Sequence, residues 1–65
     1  MKTVYIISNG EQYLNQQGYF TFLYSQTKLF ETDIDAEWYI KQHLPKSDYT
    51  IKEVNLALGK ELIEV

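Results

Sequence analysis

One stretch of this chain carries helical periodicity, and it is delimited at both ends: Asp33-Ile-Asp-Ala-Glu-Trp-Tyr-Ile-Lys-Gln-His-Leu-Pro45. Thr32 stands where an N-cap belongs, and Asp33, Asp35 and Glu37 place carboxylates in the first turns, where they complement the helix dipole. Asp35 is spaced to act as the distant partner of a capping box, and Pro45 pushes the residue before it out of the α region. A chain with one such helix among segments rich in β-branched and aromatic residues is restricted to an α+β arrangement. The expected form is an antiparallel β-sheet packed on one face by a single helix at about residues 33–44, as one domain over residues 1–65.

The strands are marked by their turns. Thr3-Val-Tyr-Ile-Ile-Ser8 runs into Asn9-Gly10, a strong hairpin signal because both central residues of a type I′ turn need positive φ. The return strand is expected over Glu11–Asn15, with Gln16-Gln17-Gly18 as the next turn. Tyr19–Tyr24 reads as a third strand. Its alternation puts Phe20, Phe22 and Tyr24 on one face and Tyr19, Thr21 and Leu23 on the other, so neither face is cleanly polar and cover on both sides is expected. Lys28–Glu31 reads as a short extended entry to the helix, or as loop. Beyond the helix, Tyr49–Val54 reads as a strand, Gly59-Lys60 as a turn and Glu61–Val65 as a last strand. The tail from Asn55 also has the composition of a helical turn. The resulting order is β-β-β-α-β-β.

At 65 residues a chain buries only about 60% of its unfolded surface, so the core is thin. There is no cysteine to brace it. Stability must then come from apolar packing or self-association, and a homo-oligomer, most simply a dimer, is expected. Six tyrosines are more than such a core encloses, so some rings should be exposed. The net charge is −3 and all six basic residues are lysines, which argues against nucleic acid as a partner: phosphate contacts need a basic patch and base readout leans on arginine. The longest apolar run, Val4–Ile7, is far short of a bilayer span, and the start MKTVYIISNG has no signal-peptide apolar region. No membrane partner and a cytoplasmic location are expected.

At about 100° per residue, Ala36, Tyr39, Ile40, His43 and Leu44 share one arc of the helix, the expected stripe against a sheet. Trp38 projects nearly opposite, one turn after Ile34 and beside Lys41 and Gln42. Either the connection from Tyr24 to Lys28 or a longer excursion of the chain covers it, or Ile34 and Trp38 form an apolar patch for another chain, a second copy or a different protein.

Chemistry is sparsely encoded. His43 is the one histidine and falls on the core side near the helix end, where packing and the terminal carbonyls account for it. Asp33 and Asp35 diverge on a helix and suit capping better than acid–base work. Spaced metal ligands and a glycine-rich phosphate loop are both missing, so no metal, no cofactor and no enzymatic activity are expected.

The Val-Tyr-Ile-Ile strand with its Asn-Gly turn, Tyr13-Leu14, Lys28-Leu-Phe-Glu-Thr32, Ala36 and Tyr-Thr-Ile-Lys-Glu-Val54 together resemble, in order and spacing, small uncharacterised phage and prophage accessory proteins of Gram-positive bacteria. Those proteins read as a strand meander, an F-x-T-x-x-x-A helix entry and a closing strand. Phe30, Thr32 and Ala36 match as a sheet residue, a cap and a helix–sheet contact. The chain departs from the pattern at Trp38 and in the tail after Asn55, and both departures add apolar surface. The resemblance implies an accessory protein that binds and modulates a host protein. The expected function is therefore protein–protein interaction, with Ile34, Trp38, Tyr19 and Tyr24 as the candidate surface. The rivals are a homo-oligomeric small-ligand binder whose pocket is lined by Tyr5, Tyr13, Tyr19 and Tyr24 from two copies, and a structural phage component.

Overall fold

The strand Lys2–Ser8 (β1) lies at the centre of the sheet, and its sequence explains why. Ile6 and Ile7 are adjacent, so the pleat points them to opposite faces, yet both are fully buried. A continuous apolar run is the signature of a strand covered on both sides. The computed structural model describes residues 2–56 and 62–64. Around β1 it places β2 (Tyr13–Leu14), β3 (Phe20–Thr21), β4 (Thr50–Leu56) and β5 (Leu62–Glu64) in the spatial order β3-β2-β1-β4-β5, with every pairing antiparallel. The longest ladder joins β1 to β4, from Lys2 opposite Leu56 to Ser8 opposite Thr50. The helix α1 (Asp33–His43) packs on one face of this sheet. The α+β fold expected from the sequence is therefore the fold observed.

The two faces have separate cores. On the helix side, Ile7, Leu14, Phe30 and Ala36 are buried and are flanked by Tyr5, Phe20, Tyr39, Ile40, Leu44 and Ile51. On the other, Val4, Ile6 and Val54 are buried, with Tyr13 and Tyr24 packed over them. That second core is closed by a 3-10 turn at Tyr24–Gln26, whose Tyr24 ring meets Tyr13 edge to face at 4.8 Å. Beyond the turn the chain runs back along the sheet. Thr27 bridges Asn15 and Phe30 bridges Tyr5, the latter through two 2.8 Å backbone hydrogen bonds. Lys28–Glu31 is thus held by isolated bridges on the edge of β1 that β2 leaves free, and is not a strand of its own.

The strand expected over Tyr19–Tyr24 is cut to Phe20–Thr21. The Leu23 amide donates to the Thr21 hydroxyl at 3.2 Å, a local bond that turns the backbone out of the ladder. The double cover expected for that segment belongs instead to β1. The first turn also differs from the two-residue hairpin: Ser8 pairs with Tyr13, leaving Asn9–Gln12 as a four-residue loop with Gly10 at φ +111°. Side chains determine this loop. The buried Ser8 hydroxyl donates to the Gln12 carbonyl and accepts from the Gly10 amide, while the Asn9 side chain accepts from the Gln12 amide at 2.9 Å. The second turn has Gly18 at φ +93°, and the buried Asn15 side chain accepts from the amides of Gln17 and Tyr19. The closing turn expected at Gly59-Lys60 lies outside the described residues. Leu62–Glu64 is strand, as one of the two readings of the tail had it.

The helix begins and ends as its sequence dictates. The Thr32 hydroxyl accepts from the Asp35 amide at 3.1 Å, and Leu44, with ψ 146°, is the residue that Pro45 removes from the helix. Thr32→Ala is expected to lower stability by about 1 kcal/mol, within the roughly 0.5–2 range for lost caps, with the urea midpoint moving down at unchanged slope. Serine at the same position should restore most of the loss.

Candidate interaction surface

Because Ala36 takes the contact with the sheet, the opposite side of α1 faces outward. Ile34 and Trp38, one helical turn apart, remain 62% and 59% exposed. The connection from Tyr24 to Lys28, which could have folded over Trp38, instead covers the far face of the sheet. Tyr39 and Ile40 turn inward as the periodicity requires, and Tyr39 meets Phe30 edge to face at 5.5 Å. His43 departs from the expected core stripe. It is exposed and leans on the outside of the Tyr39 ring, with centroids 4.7 Å apart.

The candidate residues do not form one surface. Tyr19 is 73% exposed at the β3 edge of the sheet, on a different element from Ile34 and Trp38. Tyr24 is half-buried and turned inward against Val4, Ile6 and Val54, so it leaves the proposed contact set. The tyrosines suggested as a shared pocket are also separated. Tyr5 belongs to the helix-side core, Tyr13 and Tyr24 to the opposite one. Phe22 and Leu23, both more than half exposed, were expected to be covered within the third strand. Their exposure follows from the turn at Thr21, which side-chain alternation alone does not foretell.

Electrostatics divide α1 lengthwise. Asp33, Asp35 and Glu37 crowd its first half, whereas Lys41 lies in the last turn and Lys46 just beyond. The other described lysines are engaged. Lys2 pairs with Glu31 at 3.2 Å, Lys28 sits over the rings of Phe30 and Tyr39, and Lys52 over that of Tyr13. Among the described residues, Lys41 and Lys46 are the lysines with neither an ion pair nor a ring contact. They rim an open groove of about 320 Å³, lined also by Ile40, Leu44, Pro45 and Tyr49. The Tyr49 hydroxyl donates to the Pro45 carbonyl at 2.8 Å, which fixes the groove's far wall.

One ionisable group carries a shift with a structural cause. Tyr5 is raised above its ordinary 10.0, first by partial desolvation against the core and then by the Glu53 carboxylate, which accepts from its hydroxyl at 3.3 Å. The neutral phenol is thereby favoured in the folded state. That stabilisation is complete below about pH 10 and is lost as pH rises through the shifted value. Tyr5→Phe should therefore unfold less steeply than the native chain between pH 9 and 11 in an alkaline titration followed by circular dichroism, values set around the ordinary phenol range of about 10.

Among the described residues, no group of three or more His, Cys, Asp or Glu side chains could hold a metal ion. No described helix is long and apolar enough to cross a membrane. Comparison with protein-family models, curated proteins and solved structures finds no match to this chain.

Proposed function

We propose that this chain is a small, non-enzymatic interaction module that uses the outer face of α1 as its contact surface. The observation that carries this reading is the pair Ile34 and Trp38. A tryptophan more than half exposed on a rigid, capped helix offers a large rotamer-poor contact area, the usual character of a binding hot spot. The resemblance to phage and prophage accessory proteins extends the proposal to biology, with a host protein as the target and modulation of that protein as the role. A cytoplasmic site of action belongs to the same proposal.

Native mass spectrometry of the gently purified protein, compared with Trp38→Asp, tests the reading. Bound protein mass, whether further copies or a different chain, is expected in the native sample and should fall at least about tenfold in the variant, in keeping with hot-spot truncations above ~1.4 kcal/mol. Identical spectra for the two would sink the proposal. A retained small molecule insensitive to Trp38 would favour the ligand-binding alternative.

A further inference from the structure

The outer stripe of α1 does not stop at Trp38. At about 100° per residue, Ile34, Trp38 and Lys41 fall within roughly 60° of one another, and the chain leaving the helix brings Pro45 and Lys46 to the end of the same stripe. All six residues that mark it, these five and Asp33, are exposed. The stripe opens with an acid and an aliphatic residue, Asp33 and Ile34. It closes with an apolar residue and a cation, Pro45 and Lys46. Trp38 and Lys41 stand between. Read from the other end, the order is the same with the charges exchanged, which is the property a surface needs to pair with itself about a two-fold axis.

We infer that the occupant of this face is a second copy of the chain, its α1 antiparallel to the first. The register sets Asp33 against Lys46 of the second copy, Ile34 against Pro45 at the mouth of the groove, and Trp38 against Lys41. Each contact occurs twice. The two cations without a partner among the described residues each gain one: Lys46 a carboxylate, and Lys41 the face of an indole, a favourable site for an ammonium. The Ile34 side chain gains the apolar wall of Leu44 and Pro45. Opposed helix dipoles add to the match, since each acidic N-terminal half meets a basic C-terminal half. The inference rests on the reading of α1 as a contact surface and adds its occupant.

The scale follows from the helix length. Eleven residues rise about 16 Å, and a face that long buries less than the ~1,200 Å² of a standard stable interface. The dimer is therefore weak and sensitive to salt, because its exposed ion pairs are screened within about 8 Å at physiological ionic strength and about 3 Å at 1 M.

Sedimentation of the whole chain over a concentration series, at low and high salt, with Asp33→Lys, Lys46→Asp and their equimolar mixture, tests the register. The native chain should dimerise reversibly and more weakly in salt. Each variant alone places like charges opposite each other twice and should associate about tenfold more weakly, the order expected of a few exposed charge pairs. Mixing them makes both pairs opposite in sign again and should restore native-level association. Circular dichroism verifies that each variant is folded. A monomer at all concentrations, or a dimer indifferent to the swaps, overturns the inference, as does a mixture that is not rescued. If the chain stays monomeric but binds a different protein in a Trp38-dependent way, the second copy is excluded and the contact face stands. If Trp38→Asp alters no association at all, both fail.

Discussion

Ile6→Ala and Ile7→Ala are each expected to lower stability by about 2–5 kcal/mol, enough to leave much of the population unfolded, since a domain of this size has about 3–10 kcal/mol in total. The equality of the two effects is the informative part. In a sheet with one wet face, neighbouring residues of a strand differ sharply, one in the core and one in water. Here both are fully buried, Ile7 beneath α1 and Ile6 beneath Tyr13 and Tyr24. Urea unfolding of the two variants beside Phe22→Ala, whose ring is 68% exposed, makes the comparison. A small loss for Ile6→Ala with a large one for Ile7→Ala would mean that the 3-10 turn does not close a second core.

Ala36→Leu is the next largest. Ala36 has no exposed surface and lies in the helix-side core with Ile7, Leu14 and Phe30, where α1 meets the sheet. Three added carbons have no space to enter. Either the neighbouring side chains leave their rotamers or the helix lifts, at a cost of about 1–3 kcal/mol for overpacking. Lifting α1 would also open the contacts of Tyr39 with Phe30 and Lys28, so the variant should lose near-ultraviolet dichroism from its aromatic rings in proportion to its drop in urea midpoint. Ala36→Gly should cost only about 1 kcal/mol, the helix-propensity difference. If leucine proved as mild as glycine, the helix would be standing off the sheet at this point.

The parts of the fold legible in the sequence were those governed by local rules. The helix and its limits follow from Thr32, the acidic first turn and Pro45, each acting on backbone groups a few residues away. The outward position of Trp38 follows from periodicity alone. The strand after Gly18 was misread because Phe22 and Leu23 have strand-forming side chains, while one bond from the Leu23 amide to Thr21 breaks the ladder. Val4–Ile7 was read for its length against a bilayer, when its continuity was the sign of the doubly covered central strand. In the candidate surface, Ile34 and Trp38 were legible for the same reason as the helix. Tyr24 was not, because its direction depends on the turn that carries it across the sheet.

The sequence by itself determined the helix, its caps, the α+β class and the face of α1 that stays outside, because these depend on residues within one or two turns of each other. Tertiary structure alone decided which strand is central, what covers its second face, and that the last two uncommitted lysines lie beside a groove. Those outcomes turn on contacts between residues far apart in the chain, such as Tyr5 with Phe30 and Asn15 with Thr27, where burial and backbone pairing override the preference of any single segment.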